Sequence, residues 1–375
     1  MKEIDIDKLN KLCCNQLINK APILYKYNLK ENIIRRLLIL SNKSKIINVN
    51  NYFWHTALLT IGKERHYKLS KDKTIIKELE KYYNSILLKK RKGYKTVQVV
   101  DQVMNLYTLL YLKYELNISK YDELIEEGIE FINNIYDGNS VIPYRDNNKD
   151  LILIDTLGMI CPFLMRYYYY TGKKKYADIA INQLKDFMLN GIDNKDYFPY
   201  HSYNLSVKDN IGSSQWGRGI GWMLIGIIDS IEYIDKNSHE YKLLTEYLIC
   251  FINELVKYQD ENGYFKCNVK EENSHIDSSA TAFIGYSIGR AVELNILRKE
   301  YIEYVKKCCY AIEQSMDNKG RVWDCSEDCS GVGKYSMKFS CNLANGISLA
   351  LVSIYKYINN EYSKVLMSKN IDFNI

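Results

Sequence analysis

Turn formers are scarce in this 375-residue chain, which has 4 prolines and 19 glycines. That is too few for an all-β sandwich, which needs a turn about every ten residues. No uninterrupted apolar run approaches the roughly 20 residues of a membrane-spanning helix. Histidine is rarer still, with 5 residues, and neither HExxH nor CxxC spacing occurs, so no metal site is expected. A surplus of one charge is also missing. The 51 basic and 45 acidic residues leave a net charge of +6, scattered rather than banked. Such a balance is too weak for nucleic acid, although it tolerates an acidic small substrate. The opening Met1-Lys2-Glu3-Ile4-Asp5-Ile6-Asp7 carries acids where a signal peptide has a basic segment and then an apolar core. These absences predict a soluble, cytoplasmic protein with no membrane or nucleic-acid partner, as a monomer or homodimer. What is present is ordinary globular composition, 47% hydrophobic and 26% charged, with 34 tyrosines. The 10 cysteines read mostly as small buried apolar side chains.

A theme recurs along the chain. Asp137-Gly138-Asn139-Ser140-Val141, Asn194-Lys195-Asp196-Tyr197-Phe198, Glu261-Asn262-Gly263-Tyr264-Phe265 and Asn318-Lys319-Gly320-Arg321-Val322 are each a polar turn leading into an apolar stretch. Their anchors near 138, 196, 263 and 320 lie 58, 67 and 57 residues apart, a period suited to a supersecondary unit. Each interval holds two unlike helices. Asp155–Tyr170 is apolar on nearly every face, whereas Lys175–Asn190 has one apolar stripe of Tyr176, Ile179, Ala180, Leu184, Phe187 and Met188. Val103–Leu116 and Tyr121–Tyr136 form such a pair, with Ser119 and Asp122 at capping-box spacing before the second. Gly217–Ile234 with Tyr241–Tyr258 and Ser279–Ile296 with Glu300–Gln314 follow, and Asn342–Tyr357 is a last apolar helix. Buried helices alternating with one-sided helices imply two concentric layers. The predicted fold is therefore all-α, an (α/α)6 toroid of six helical hairpins over residues 1–375, with 1–50 an N-terminal helical lead-in. An open solenoid is the alternative, though its repeats are usually shorter. In a toroid the inner-helix N-termini gather at one mouth, where anions are favoured.

Several unusual residues fall at that mouth. Asp101 and Asp155 each open an apolar helix. Either they are N-caps, or burial beside a second carboxylate makes one a general acid. Gln215-Trp216-Gly217-Arg218-Gly219-Ile220-Gly221-Trp222 sets three alternating glycines at a helix start, for close approach either to a ligand or to a neighbouring helix. Arg218 between Trp216 and Trp222 suits a grip on a sugar acid, guanidinium on carboxylate and indole on ring. His201, in Phe198-Pro199-Tyr200-His201-Ser202-Tyr203, is a ligand contact or a structural histidine. Lys334, in Cys329-Ser330-Gly331-Val332-Gly333-Lys334-Tyr335, is a cation on a substrate rim or on an ordinary surface loop. Trp54-His55 belongs to the mouth or to the core.

These segments together resemble the unsaturated glucuronyl and rhamnogalacturonyl hydrolases, glycoside hydrolase families 88 and 105. Trp216-Gly217-Arg218-Gly219-Ile220-Gly221-Trp222 is similar to the family's WGRG-N-GW. Asp155-Thr156-Leu157-Gly158-Met159-Ile160-Cys161-Pro162-Phe163-Leu164-Met165-Arg166 is similar to its D-T-L-x-M-x-x-P-F-L-x-R. Tyr200-His201-Ser202-Tyr203, Asp277-Ser278-Ser279-Ala280-Thr281-Ala282 and the placement of Asp101 extend the likeness over 101–357. The resemblance implies a six-hairpin toroid that hydrates the C4=C5 double bond of an unsaturated uronic acid ending an oligosaccharide. It implies Asp155 as general acid and base, with Asp101 holding the sugar and tuning that acid. Arg218, Trp222 and His201 would bind the substrate, with neither metal nor redox cofactor. Two positions depart from the family pattern, Leu153 where a tryptophan is usual and Ile220 where the glycine motif is polar, and both are expected to alter the pocket. The alternatives are a toroid of surface-polysaccharide metabolism acting on another glycoside, or a sugar-binding toroid without hydrolysis.

Overall fold

The structure, a computed structural model, describes residues 4–20, 53–138, 141–145, 148–329, 331–335 and 341–371. Most of the lead-in expected over 1–50 lies outside the described residues. Inside them, α1 (Ile6–Ile18) is capped by Asp5, whose side chain accepts from the Lys8 amide. It is followed by α2 (Trp54–Ser70), α3 (Lys73–Arg91), α4 (Val100–Val103), α5 (Leu106–Tyr114) and α6 (Asp122–Ile135). Next come β1 (Leu151–Leu153), α7 (Asp155–Thr171), α8 (Lys174–Asn190), β2 (Ser202–Asn204) and β3 (Asn210–Ile211). The chain continues through α9 (Gly217–Ile231), α10 (His239–Leu255), α11 (Ser278–Glu293), α12 (Ile302–Gln314) and α13 (Asn345–Ile371). No helix among the described residues is long and apolar enough to cross a membrane.

Apolar content decides which layer each helix joins. Every residue of α9 is buried, as is the run Thr156–Tyr167 in α7 and Ser278–Val292 in α11. Such helices are stable only when surrounded. By contrast α8 buries one stripe, Tyr176, Ala177, Ile179, Ala180, Gln183, Leu184 and Phe187. The inner ring runs α2, α4–α5, α7, α9, α11 and α13, and α13 packs back on α2 to close it. Outside it lie α1, α3, α6, α8, α10 and α12, each against inner neighbours. The fold is thus the predicted (α/α)6 toroid.

The turn repeat has a backbone signature. Gly138, Gly263 and Gly320 adopt φ of 88°, 89° and 83°, and at the unit without glycine Tyr197 takes φ 67°. A Cβ at Gly263 would also lie 2.1 Å from the Lys307 carbonyl oxygen, so glycine is required there on two counts.

Two local expectations fail. The capping box before α6 does not form, because Tyr121 is the N-cap and Asp122 pairs instead with Lys113 at 2.8 Å. The inner helix expected over 103–116 is broken at Met104-Asn105 and starts earlier, at Val100. Asn105 holds the break. Its side chain accepts from Thr56 Oγ1 at 2.9 Å and donates to the Phe53 carbonyl at 3.1 Å. Its carbonyl accepts from the Tyr83 hydroxyl at 2.8 Å. A residue stitched by three hydrogen bonds to two other helices outweighs the one turn of helix it interrupts.

Candidate active site

The inner helices begin at one end of the ring axis, and a cavity of about 550 Å³ opens there. That size is typical of small-molecule sites, roughly 300–1,000 Å³. It is lined by Trp54, Asp101, Tyr144, Arg145, Asn148, Leu151, Leu153, Asp155, His201, Trp216, Arg218, Trp222, Asp328, Cys329, Gly331 and Val332. Seven of the eight residues singled out from sequence therefore meet in one space. A groove of about 670 Å³ on the outer layer, beside Met188, Leu189 and Leu205, has a single carboxylate, Asp186, and no such convergence.

The small antiparallel sheet sets the central pair. Leu153 of β1 pairs with Ser202 of β2, and the Ile154 amide donates to the His201 carbonyl at 2.9 Å. This register carries Asp155, two residues beyond Leu153, to His201, one residue before Ser202. Their Oδ2 and Nε2 atoms lie 3.6 Å apart. The Gly333 amide donates to His201 Nδ1 at 3.3 Å, so a neutral imidazole keeps its proton on Nε2, facing the carboxylate. His201 is stacked near Trp216 and Tyr335, with ring centres 4.4 and 5.5 Å away. Tyr335 is pinned by the Ser213 amide, which donates to its hydroxyl at 2.9 Å.

Neither aspartate is an N-cap. Asp155 is the first residue of α7, after Ile154, and Asp101 is the second of α4, after Val99, where the Gln102 side chain, not Asp101, accepts from the Val99 amide at 3.2 Å. Asp155 Oδ2 is buried without a hydrogen-bond partner. Asp101, 5% exposed, is held bidentately by Arg145, with Nη1 to Oδ1 at 2.8 Å and Nη2 to Oδ2 at 3.1 Å. Burial, then the Asp101 and Asp155 carboxylates, push the Tyr144 hydroxyl well above its usual range, so it stays a neutral donor. Burial likewise pushes the Cys329 thiol up to about 12, which rules it out as a thiolate nucleophile near neutral pH.

The glycine motif serves packing. A Cβ at Gly219 would meet the Trp216 ring at 2.4 Å, one at Gly221 would meet Phe283 Cβ at 2.4 Å, and one at Gly217 the Lys266 carbonyl at 2.6 Å. Close packing against the protein itself, a neighbouring helix at Gly221, a loop carbonyl at Gly217 and the Trp216 ring at Gly219, accounts for all three. Trp222, 1% exposed, forms the floor, edge-on to Trp54 at 5.4 Å and to Phe283 at 4.7 Å. Little of its face is open for stacking on a sugar. Arg218 is clasped by the carbonyls of Ser326 at 2.7 Å and Glu327 at 2.9 Å, with Ser279 Oγ at 3.4 Å. Asp277 caps α11 through Ser279 and also accepts from the Ser326 amide at 3.3 Å, tying that loop to the helix.

Two expectations need correction. Lys334 is exposed and outside the lining, and its stem folds over Gly331, 3.7 Å from where a Cβ would sit. The loop meets the cavity through Gly331 and Val332 instead. Ile220 is fully buried in the core and does not line the site, so of the two departures only Leu153 reshapes the wall. Sequence reasoning missed Tyr144, Arg145 and Asp328. Asp328 Oδ2 lies 3.5 Å from His55 Nε2, whose ring stacks on Trp54 at 3.5 Å. Burial would raise the Asp328 carboxyl, but His55 and Arg218 outweigh it and hold it below its usual value. Arg145 carried one sequence signal, a cation in the loop ten residues before Asp155.

The model of Glycosyl Hydrolase Family 88 matches residues 31–345. The chain belongs to glycosyl hydrolase family 88. An unsaturated rhamnogalacturonyl hydrolase of Bacillus subtilis, YesR, is 23% identical over 226 residues, 58% of this family 88 chain and 63% of that protein. The chain thus spans a little under two thirds of that curated relative. A possible member of the GH105 family from Salmonella enterica superposes with a TM-score of 0.79 at 20% identity, covering 96% of this chain and 95% of that one. The unsaturated glucuronyl hydrolase of Bacillus sp. GL1 does so with a TM-score of 0.71 at 15% identity, covering 94% and 95%. These likenesses place the family 88 chain among proteins of the same fold.

Proposed function

We propose that this chain is a glycoside hydrolase that hydrates the C4=C5 double bond of an unsaturated uronic acid ending an oligosaccharide. One observation carries the reading. Asp155 lines the cavity with a buried oxygen that has no hydrogen-bond partner, while Asp101 in the same cavity is paired bidentately with Arg145. Two carboxylates in one cavity with unlike environments suit unlike roles. Asp155 gives its proton to C4 of the vinyl ether, and the ring oxygen stabilises the cation left at C5. Water attacks C5 and returns its proton to Asp155. The resulting hemiketal opens to a ketone, and the hemiacetal at C1 then collapses and releases the neighbouring sugar as an alcohol. His201, with Nε2–H directed at Asp155, orients the acid, and Asp101 accepts from a sugar hydroxyl with the lone pairs that Arg145 leaves free. Every step is proton transfer, water addition or proton-assisted C–O cleavage, so the reaction asks for no metal.

The family, the YesR relative and the glucuronyl hydrolase fold all support this class of substrate. The test is loss of the double-bond ultraviolet absorbance from lyase-generated disaccharides of pectin, rhamnogalacturonan and glycosaminoglycans. Turnover of at least one is expected, falling about a hundredfold or more in Asp155→Asn. Folded protein that turns over none of them refutes the reading. A sugar binder without hydrolysis is the second reading, favoured by Leu153, which puts an aliphatic wall where the resemblance calls for an indole. It requires unchanged ligand affinity in Asp155→Asn and no turnover in either protein.

A further inference from the structure

Two arginines line the cavity, and they differ in what they have left to offer. Arg218 is 2% exposed and clasped by the Ser326 and Glu327 carbonyls. The Arg145 side chain is 40% exposed. A guanidinium has five N–H donors in one planar fork. In Arg145 the end-on pair, Nη1 and Nη2, is spent on Asp101, and the second Nη1 proton goes to the Tyr144 carbonyl at 2.9 Å. The two donors that have no partner among the described residues, Nε–H and the second Nη2–H, lie side by side along one edge. That spacing matches the two oxygens of a carboxylate. The guanidinium also lies over the Tyr144 ring, 3.9 Å from its centre, which together with Asp101 fixes its plane and limits the entropy lost on binding.

We propose that Arg145, rather than Arg218, is the specificity-determining residue that takes the free carboxylate of the terminal sugar, through its unoccupied side-on edge. This rests on the reading of the cavity as a uronyl site and adds a chemical requirement to it. The terminal sugar must carry an ionised carboxylate, because an ester presents only one good acceptor and no charge to that edge. Asp101 then acts twice, as a sugar contact and as the brace that aims Arg145.

The test compares affinities for an unsaturated uronyl disaccharide and its methyl ester, measured by calorimetry on the Asp155→Asn protein so that binding is read without turnover. The free acid is expected to bind roughly ten- to a hundredfold tighter than the ester, the range of a charged hydrogen-bonded pair. Adding Arg145→Gln should bring that ratio within about threefold, because any loss of the Asp101 contact weakens acid and ester alike and cancels in the ratio. Arg145→Lys keeps the ion pair with Asp101 but lacks the second donor edge, and it should also lower the ratio. A ratio that survives both Arg145 variants and collapses in Arg218→Lys overturns the inference, as does a ratio near one in the parent. If no unsaturated disaccharide is turned over by the unaltered protein yet the ratio behaves as expected, the hydrolase reading falls. Arg145 then stands as the carboxylate contact of a sugar-acid binding site.

Discussion

Replacing Glu64 by Gln tests what holds the ring together at the end opposite the cavity. Glu64 and Arg166 are each 1% exposed and form a bidentate pair, with Nη1 to Oε2 at 3.0 Å and Nη2 to Oε1 at 2.9 Å. Arg166 also donates to the Tyr107 carbonyl at 2.9 Å and the Tyr233 hydroxyl at 2.7 Å, and Lys68 reaches Glu64 at 3.0 Å. One side chain thus joins α2, α5, α7 and the end of α9. An amide at position 64 keeps the shape but leaves the buried Arg166 and the partly exposed Lys68 without their counter-charge, which costs about 3–5 kcal/mol. With an unfolding entropy of about 2.1 cal/mol/K per residue, the 375 residues give about 0.8 kcal/mol/K. The expected fall in Tm is therefore about 4–6 °C, read by scanning calorimetry. Glu64→Met combined with Arg166→Met should recover most of the loss, because the buried guanidinium goes with its partner and only the partly exposed Lys68 loses an ion pair. A single variant within 1 °C of the unaltered protein, or a double variant worse than either single one, refutes the pairing argument.

Other outcomes follow from the same geometry. Glu232 should contribute to acid stability: burial would raise its carboxyl, but Arg290, Arg65, Lys68 and Arg166 hold it at about 2. Its folded value lies below its unfolded one, so this stability is complete above the unfolded value and is lost as pH falls toward 2. Denaturant midpoints measured from pH 6 down to pH 3 should fall, and Glu232→Gln should flatten that slope; an unchanged slope excludes the contribution. A Cβ in Gly158→Ala would stand 2.7 Å from the Trp222 ring and 2.8 Å from its carbonyl oxygen, forcing α7 from α9 at a cost of about 1–3 kcal/mol. Urea unfolding reads that loss, and stability equal to the parent refutes the contact. Excess chelator should leave the hydration rate unchanged, whereas a loss restored by a divalent ion would add a metal to the proposed mechanism.

The two-layer architecture was legible because burial on every side leaves room for only the few polar residues that find partners. The unbroken apolar faces of α7 and α9 could belong only to surrounded helices, and the striped α8 only to a boundary. Asp155 and His201 were legible for a local reason, each standing out in its own apolar or aromatic context. Arg145 was not, because its meaning comes from Asp101, 44 residues away, and loop-to-helix pairing has no sequence period. Lys334 misled for the converse reason: a cation in a glycine loop has the right composition at any orientation, and this one lies along the outside. Tyr197 hid the left-handed turn that glycine marks in the other three units. Arg166 was on view within an all-apolar helix, where a buried cation must have a partner. That partner, Glu64, lies 102 residues away on α2.

The two ends of the axis differ in kind because all six inner helices point the same way. Their N-terminal ends meet the cavity through Trp54, Asp101, Asp155 and Arg218, and their C-terminal ends meet the charged cluster of Arg65, Lys68, Arg166, Glu232 and Glu293. Aligned N-termini carry partial positive charge and C-termini partial negative charge. Cations at the far end, Arg166, Arg290 and Lys68 among them, therefore offset a field the ring itself creates, and their acidic partners complete a network that spans the helices. At the cavity end the same field is offset only in part, by Asp101 and Asp328, of which Asp101 is neutralised by Arg145 and Asp328 is countered by His55 and Arg218. What remains favours an incoming anion over a neutral sugar before any hydrogen bond forms. On the proposed reading, the ring supplies the attraction to a sugar acid, and Arg145 supplies its alignment.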